Sequence, residues 1–149
     1  MRAVLQRVDR ASVTVAGEEI ARIGRGLLAL VGISRADTRE DLAWMARKIV
    51  ELRVFDDAEG KLNLSLKDIG GQLLLVSQFT LYGDCRKGRR PTYSDAAPPV
   101  EAERLYREFI EITRQFVPGV QSGKFQAMMD VSLTNSGPVT VVLDSRKNI

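Results

Sequence analysis

The chain has 149 residues, 44% hydrophobic and 28% charged, with a formal net charge of +3, no histidine and one cysteine, Cys85. A single domain of this size buries a sizeable core without staples, the composition excludes a disordered or fibrous chain, and one cysteine excludes an intramolecular disulfide. The absence of histidine excludes Ser-His and Cys-His catalysis and His-based metal sites, so any hydrolysis must proceed another way.

Ala3 to Val8 and Ala11 to Val15 read as strands, the second alternating through Ser12-Val13-Thr14-Val15. Glu18 to Ile23 returns after Gly17 as a hairpin arm, and Gly24-Arg25-Gly26 turns into the apolar strand Leu27 to Val31. Thr38-Arg39-Glu40-Asp41 resembles a capping box, and Leu42, Met45, Ile49 and Leu52 follow at helical spacing, which predicts a helix over 38–52 with Trp44 and Met45 as packing residues. Val54-Phe55 and the alternating Leu62, Leu64 and Leu66 predict a half-buried hairpin, and Gly70-Gly71 leads into a strand from Gln72 to Ser77. Leu105, Phe109, Ile112 and Phe116 predict a second helix over 98–116, its exposed face laced by Glu103/Arg107, Arg104/Glu108 and Arg107/Glu111. Phe125, Ala127, Met129, Val131 and Leu133 alternate as one face of a long strand, Thr134 to Pro138 interrupts it, and Val139 to Leu143 resumes. Helices lying between groups of hairpin-forming strands point to an α+β fold of one domain, with curved, mostly antiparallel sheets and two main helices packed on them.

The longest apolar run, Gly26 to Ile33, falls far short of the ~18 residues of a membrane span, and the opening residues are broken by charge. A cytoplasmic protein with no membrane association is expected. Positive charge is concentrated in Arg86-Lys87-Gly88-Arg89-Arg90; without these four cations the rest of the chain carries −1. Such a patch suits phosphate, and it equally suits a solvated surface loop.

Two segments do not read as routine structure. Ser77-Gln78-Phe79-Thr80-Leu81 runs hydroxyls and an amide off the end of a buried strand, where they would line a cleft or simply close a strand edge. Asn135-Ser136-Gly137-Pro138-Val139-Thr140 reads alone as a plain turn. Together they closely resemble the two signature motifs of the D-aminoacyl-tRNA deacylase family. The opening Met1-Arg2-Ala3-Val4-Leu5-Gln6-Arg7-Val8, the segment Phe55 to Leu64 and the basic loop Gly83 to Pro91 are similar to that family as well.

The resemblance implies a homodimer with partly barrel-like sheets that acts on aminoacylated tRNA at its 3′ acceptor end, without a cofactor. It implies that a cis Gly137-Pro138 loop reaches into the partner's pocket and turns its carbonyl oxygens toward the substrate's α-amino group and Cα. Ser77, Gln78, Phe79 and Thr80 would form the catalytic floor, and Arg86, Lys87, Arg89 and Arg90 would grip tRNA. Phe125 and Met129 are expected as pocket walls because they share a strand face, with Asn135, Val139 and Thr140 beside the loop, and Cys85 as structural. A Cβ at Gly137 is expected to stand against the substrate. Thr80 as a nucleophile would need a base, so a route assisted by the 2′-hydroxyl of the terminal adenosine is preferred, with main-chain N–H groups near Phe79 and Thr80 holding the oxyanion. Two alternatives stay open: a non-catalytic module binding the tRNA 3′ end by stacking on Phe79 or Tyr82, and a small-molecule esterase with a Thr80 nucleophile.

Overall fold

The computed structural model describes residues 1–149. Strand β1 runs unbroken over Arg2–Val15, joining the two strands expected separately. Its register against the last strand shifts between Gln6 and Val8 and again between Val8 and Arg10. These irregularities bend β1 so that it serves two cores. Ala3 and Leu5 enter a large cluster beneath the helices, while Val8, Ala11 and Val13 enter a smaller one.

The other elements are β2 (Glu18–Ile23), β3 (Gly26–Gly32), α1 (Arg39–Glu51), β4 (Phe55–Asp56), β5 (Leu62–Leu64), α2 (Leu66–Ile69), β6 (Gln72–Ser77), α3 (Pro99–Arg114), β7 (Val120–Ser122) and β8 (Asp130–Asp144). The main sheet has the order β2-β1-β3-β6-β7, with β8 also on β1. β1 pairs antiparallel with β2, β3 and β8, whereas β3-β6 and β6-β7 are parallel. The parallel pairs follow from connectivity: α1 crosses over between β3 and β6, and α3 between β6 and β7. The result is α+β, with a mixed, nearly closed, barrel-like sheet.

β3 and the Leu73–Val76 stretch of β6 are apolar because both faces are covered. Leu27, Ala29, Val31, Leu73 and Leu75 face the helix side, while Leu28, Leu74 and Val76 meet the β1-β2 arm on the other. α1 begins where expected: the Asp41 carboxylate accepts from the Thr38 N–H at 2.9 Å and its hydroxyl at 3.1 Å. It buries Leu42, Met45, Ala46, Ile49 and Val50, while Trp44 stays half-buried. α3 starts with Pro99 and buries Leu105, Tyr106, Phe109 and Ile112. Arg107 pairs with Glu103 as expected, but Glu111 pairs with Arg114 instead of Arg107.

Two expectations on alternation fail. Leu66 leaves the β5 hairpin to open α2, because Ser65 and Asp68 exchange main-chain and side-chain hydrogen bonds that start a helix there. Residues 123–129 form a loop, with Gln126 at φ 61°, so the spacing of Phe125, Ala127 and Met129 is not that of a strand. Conversely, Thr134 to Pro138 does not end the last strand; β8 carries on through it to Asp144. No helix is long and apolar enough to cross a membrane.

Candidate functional site

At the C-terminal end of β6 the chain leaves the sheet in a single 3-10 turn, Phe79–Tyr82. The Gln78 N–H donates to the Val31 carbonyl at 2.7 Å, the last rung before the turn departs. Leu81 N–H closes onto the Gln78 carbonyl at 3.2 Å, and Gly83 N–H onto that of Thr80 at 3.0 Å. As the first residues of a helical turn, Phe79 and Thr80 have main-chain N–H groups without an intrahelical acceptor, free to meet a ligand. The Gln78 side-chain amide donates to the Thr80 hydroxyl oxygen, and both side chains border solvent.

The turn is braced from below. Arg2 donates to the Leu81 carbonyl at 3.0 Å, its guanidinium lies 4.6 Å from the centre of the Tyr82 ring, and Asp144 holds its Nε at 3.3 Å. Burial, with Asp37 and Asp144 nearby, pushes the Tyr82 hydroxyl well above its ordinary pKa. Tyr82 is therefore a buried, neutral support and cannot stack on a base, whereas Phe79 is 56% exposed and meets the Tyr93 ring edge-on at 5.1 Å. Gly32 lets the turn sit close: a Cβ there would stand 3.0 Å from the Gln78 carbonyl oxygen. The sequence reading missed Gly32 and Tyr93, which do not stand out by residue type or spacing, and Arg2 was legible only as part of the family-like opening.

The second motif is an outward excursion within β8. Asn135 faces Val8 and Thr140 faces Gln6, leaving four residues, 136–139, opposite Arg7 alone. The Gly137-Pro138 peptide is cis, and both residues are exposed. The Asn135 side chain accepts from Val139 N–H at 2.9 Å and donates to Gln6 Oε1 at 2.5 Å and to the Thr140 hydroxyl at 3.1 Å. Asn135 and Thr140 thus close the base of the loop. Arg7 supports its tip, donating to the Ser136 carbonyl at 2.9 Å and to the Val54 carbonyl at 3.0 Å. Gly137 has φ 126°, and a Cβ on it would lie 2.6 Å from Arg7 Nη2. A substituent at Gly137 therefore meets the end of the protein's own Arg7 side chain. Gln6 and Arg7 were legible only as part of the family-like opening.

Within one chain the two motifs lie far apart. The loop is level with Arg7, which faces Leu27, which faces Leu73, and Ser77 lies four residues further along β6. That is about 13 Å along the strands and about 14 Å across the three strand spacings from β8 to β6.

Phe125 and Met129 pack against different cores. Phe125 stacks at 6.0 Å on Tyr106, whose hydroxyl donates to the Leu75 carbonyl at 2.9 Å. It lines a cleft of about 450 Å³ beside α3. Met129 packs against the other core, near Gly123, so the shared face expected of them does not exist.

The basic loop is pinned at its base, where Asp84 and Thr92 pair. Arg86 is held by Asp84 at 2.6 and 2.9 Å, which depresses the Asp84 carboxyl far below its usual range and leaves Lys87, Arg89 and Arg90 as the exposed, unpaired cations. Cys85 is a free, exposed thiol on this loop.

Fold and site together define a protein with a mixed, barrel-like sheet and a polar turn free of imidazole, thiol and carboxylate. The sequence model of the D-Tyr-tRNA(Tyr) deacylase family matches residues 4–144, and the chain belongs to that family, a family of hydrolases. It is 56% identical over 147 residues to the D-aminoacyl-tRNA deacylase of Thermosipho africanus, with 99% of each chain covered. Among solved structures, the c-Myc DNA Unwinding Element Binding Protein superposes with a TM-score of 0.93 at 47% identity, over 97% of this chain and 98% of that one. A "probable eukaryotic D-amino acid tRNA deacylase" shares the fold with a TM-score of 0.80 at 20% identity, over 95% and 97% of the two chains.

Proposed function

We propose that this protein hydrolyses the ester between a D-amino acid, or mischarged glycine, and the 3′ end of tRNA, as a cytoplasmic homodimer. The observation that carries the reading is a family-like motif pair that one chain holds apart: Ser77–Thr80 and the Gly137-Pro138 loop lie on distant parts of the same sheet. A second copy, related by a two-fold axis, would bring each loop to the other's pocket. β8 offers an edge for this, since it pairs only with β1 and exposes Val142 and Leu133.

In the reaction, water attacks the ester carbonyl carbon and the negative charge develops on its oxygen, which the N–H groups of Phe79 and Thr80 receive. The bond from carbonyl carbon to ribose oxygen then breaks, and the water's proton passes to the leaving oxygen with the neighbouring ribose hydroxyl as relay. The products are the free amino acid and reusable tRNA, which keeps translation homochiral. Thr80 orients the substrate, because its one hydrogen-bond partner is an amide that cannot accept its proton. Lys87, Arg89 and Arg90 hold acceptor-stem phosphates. Chirality is filtered by the loop, whose carbonyls occupy the space an L side chain needs.

The test is release of amino acid from D-tyrosyl-, L-tyrosyl- and glycyl-tRNA. Release from the first and third alone supports the proposal. Binding without release would make the protein a non-catalytic tRNA-end module, and hydrolysis of free esters regardless of RNA would make it an esterase.

A further inference from the structure

The C-terminal end of α1 carries a cationic shelf that the site above does not use. Trp44, Arg47, Lys48, Glu51, Leu52 and Arg53 line a cleft of about 630 Å³, open to solvent. Cations elsewhere on the helical layer are matched with carboxylates: Arg104 with Glu101, Arg107 with Glu103, Arg114 with Glu111, and Arg39 with Glu108. On the shelf they are not. Arg47, Lys48 and Arg53 have no carboxylate within 4.0 Å: Lys48 rests over the Trp44 ring at 5.4 Å, and Arg53 hydrogen-bonds the Asn63 amide oxygen at 3.5 Å, with the Asp68 carboxylate further off in its field. The one acid there, Glu51, leans toward Lys67 at 3.7 Å. Three cations without an ion-pair partner around a half-buried indole form a surface for a polyanion with a planar component, which describes nucleic acid better than an acidic peptide.

Its location gives it a specific occupant. Arg53 precedes Val54, and Val54 and Ser136 offer their carbonyls to the same Arg7 guanidinium. The shelf and the Gly137-Pro138 loop therefore belong to one rigid end of the molecule. We propose that Arg47, Lys48 and Arg53 bind backbone phosphates of the tRNA seated in the partner subunit's site, the site into which this loop reaches. The inference rests on the dimeric deacylase reading. It implies that the acceptor arm is gripped from two sides, by the Arg89-Arg90 loop of one subunit and by the α1 shelf of the other.

The test uses the full-length protein with Arg47, Lys48 and Arg53 all replaced by alanine. These side chains are exposed and hold up no core residue. Two substrates are compared: D-tyrosyl-tRNA, and 3′-D-tyrosyl-adenosine, which has the scissile ester but no phosphates. The triple variant is expected to flatten the slope of log affinity for tRNA against log salt by about 2 units. It should also raise KM for D-tyrosyl-tRNA several-fold and leave turnover of the adenosine ester unchanged. An unchanged slope and KM, or equal losses on both substrates, would overturn the proposal. If the wild type cleaves neither substrate, the deacylase reading fails while the binding slope still decides the shelf.

Mixed dimers assign the subunit. One subunit carries Gly137→Ala, which disables the loop it lends to its partner, so the only working site is its own, fed by the wild-type partner's loop and shelf. The triple substitution should raise KM when placed on the partner and be silent when placed on the Gly137→Ala subunit. The reverse pattern refutes action across the dimer.

Discussion

Thr80 is the side chain that most resembles a nucleophile, and its surroundings argue against that role. Removing its proton requires a base within reach, and what touches its oxygen is the Gln78 amide, a donor. Thr80→Ala should therefore lower kcat by about 10- to 100-fold, less than the loss of an oxyanion donor at its most severe. Mass spectrometry of a quenched reaction should show no aminoacyl group on the protein; such an adduct on Thr80 would establish covalent catalysis instead. Gly32 bears on the same turn from behind. A methyl group there must push back the Gln78 carbonyl and Leu81, whose Cβ would be 3.1 Å away. Gly32→Ala should cost about 1 kcal/mol of stability and roughly tenfold in kcat/KM, because the free N–H groups move with the turn. Wild-type kcat/KM in that variant would show that the turn tolerates displacement.

Asp41 shows how an element's end can secure the whole layer. Burial works against its ionised form, but the Thr38 N–H, the Ser145 and Thr38 hydroxyls and the Arg146 guanidinium outweigh it and hold the carboxyl below its ordinary value of 3.8. In the unfolded chain Asp41 binds its proton more readily, so its contribution is complete above that ordinary value and is lost as pH falls through the lower folded one. Asp41→Asn should thus destabilise the protein by about 1–2 kcal/mol at pH 7. Denaturant titrations should show the gap closing in strong acid, and a gap that persists unchanged at pH 2 would mean that Asp41 contributes by shape and not by charge. This cap was legible in the sequence because the Thr38-to-Asp41 spacing is local. So was the helical periodicity of α1 and α3, each of which buries one face. The 123–129 loop was not, since alternation of Phe125, Ala127 and Met129 mimics a strand until the positive φ at Gln126 breaks it. Nor were the parallel pairs of β3 with β6 and β6 with β7, which depend on crossovers and not on any one segment. At the site, the motif residues were readable by family likeness, while the supporting roles of Arg2, Arg7 and Gly32 were hidden because they exist only once distant strands meet.

At the level of the whole molecule the sheet register holds the two motifs apart within one chain, and on the dimeric reading proposed above this links assembly to chirality. Enantiomers differ in which substituent at Cα is hydrogen, so selection needs a rigid object on one side of Cα. A loop closed by Asn135 and Thr140 and backed by Arg7 supplies rigidity from its own subunit while projecting away from it. Glycine carries no side chain to collide with such a wall, so glycyl-tRNA should be cleaved for the same reason that L-aminoacyl-tRNA is refused, and a D side chain pointing away should be tolerated in many sizes. Gly137→Ala tests the wall through its support. At φ 126° alanine is strained, and its methyl group would displace Arg7 from the loop it holds. Deacylation of both D-tyrosyl- and glycyl-tRNA should fall at least 100-fold, with the dimer intact by light scattering and the melting temperature within a few degrees of wild type. Diluting the wild-type protein until it dissociates should abolish activity in parallel with the loss of dimer. A monomer that retains full D-specific activity would show that the loop does not act across subunits, and a folded, dimeric Gly137→Ala protein working at the wild-type rate would show that the loop is not the filter.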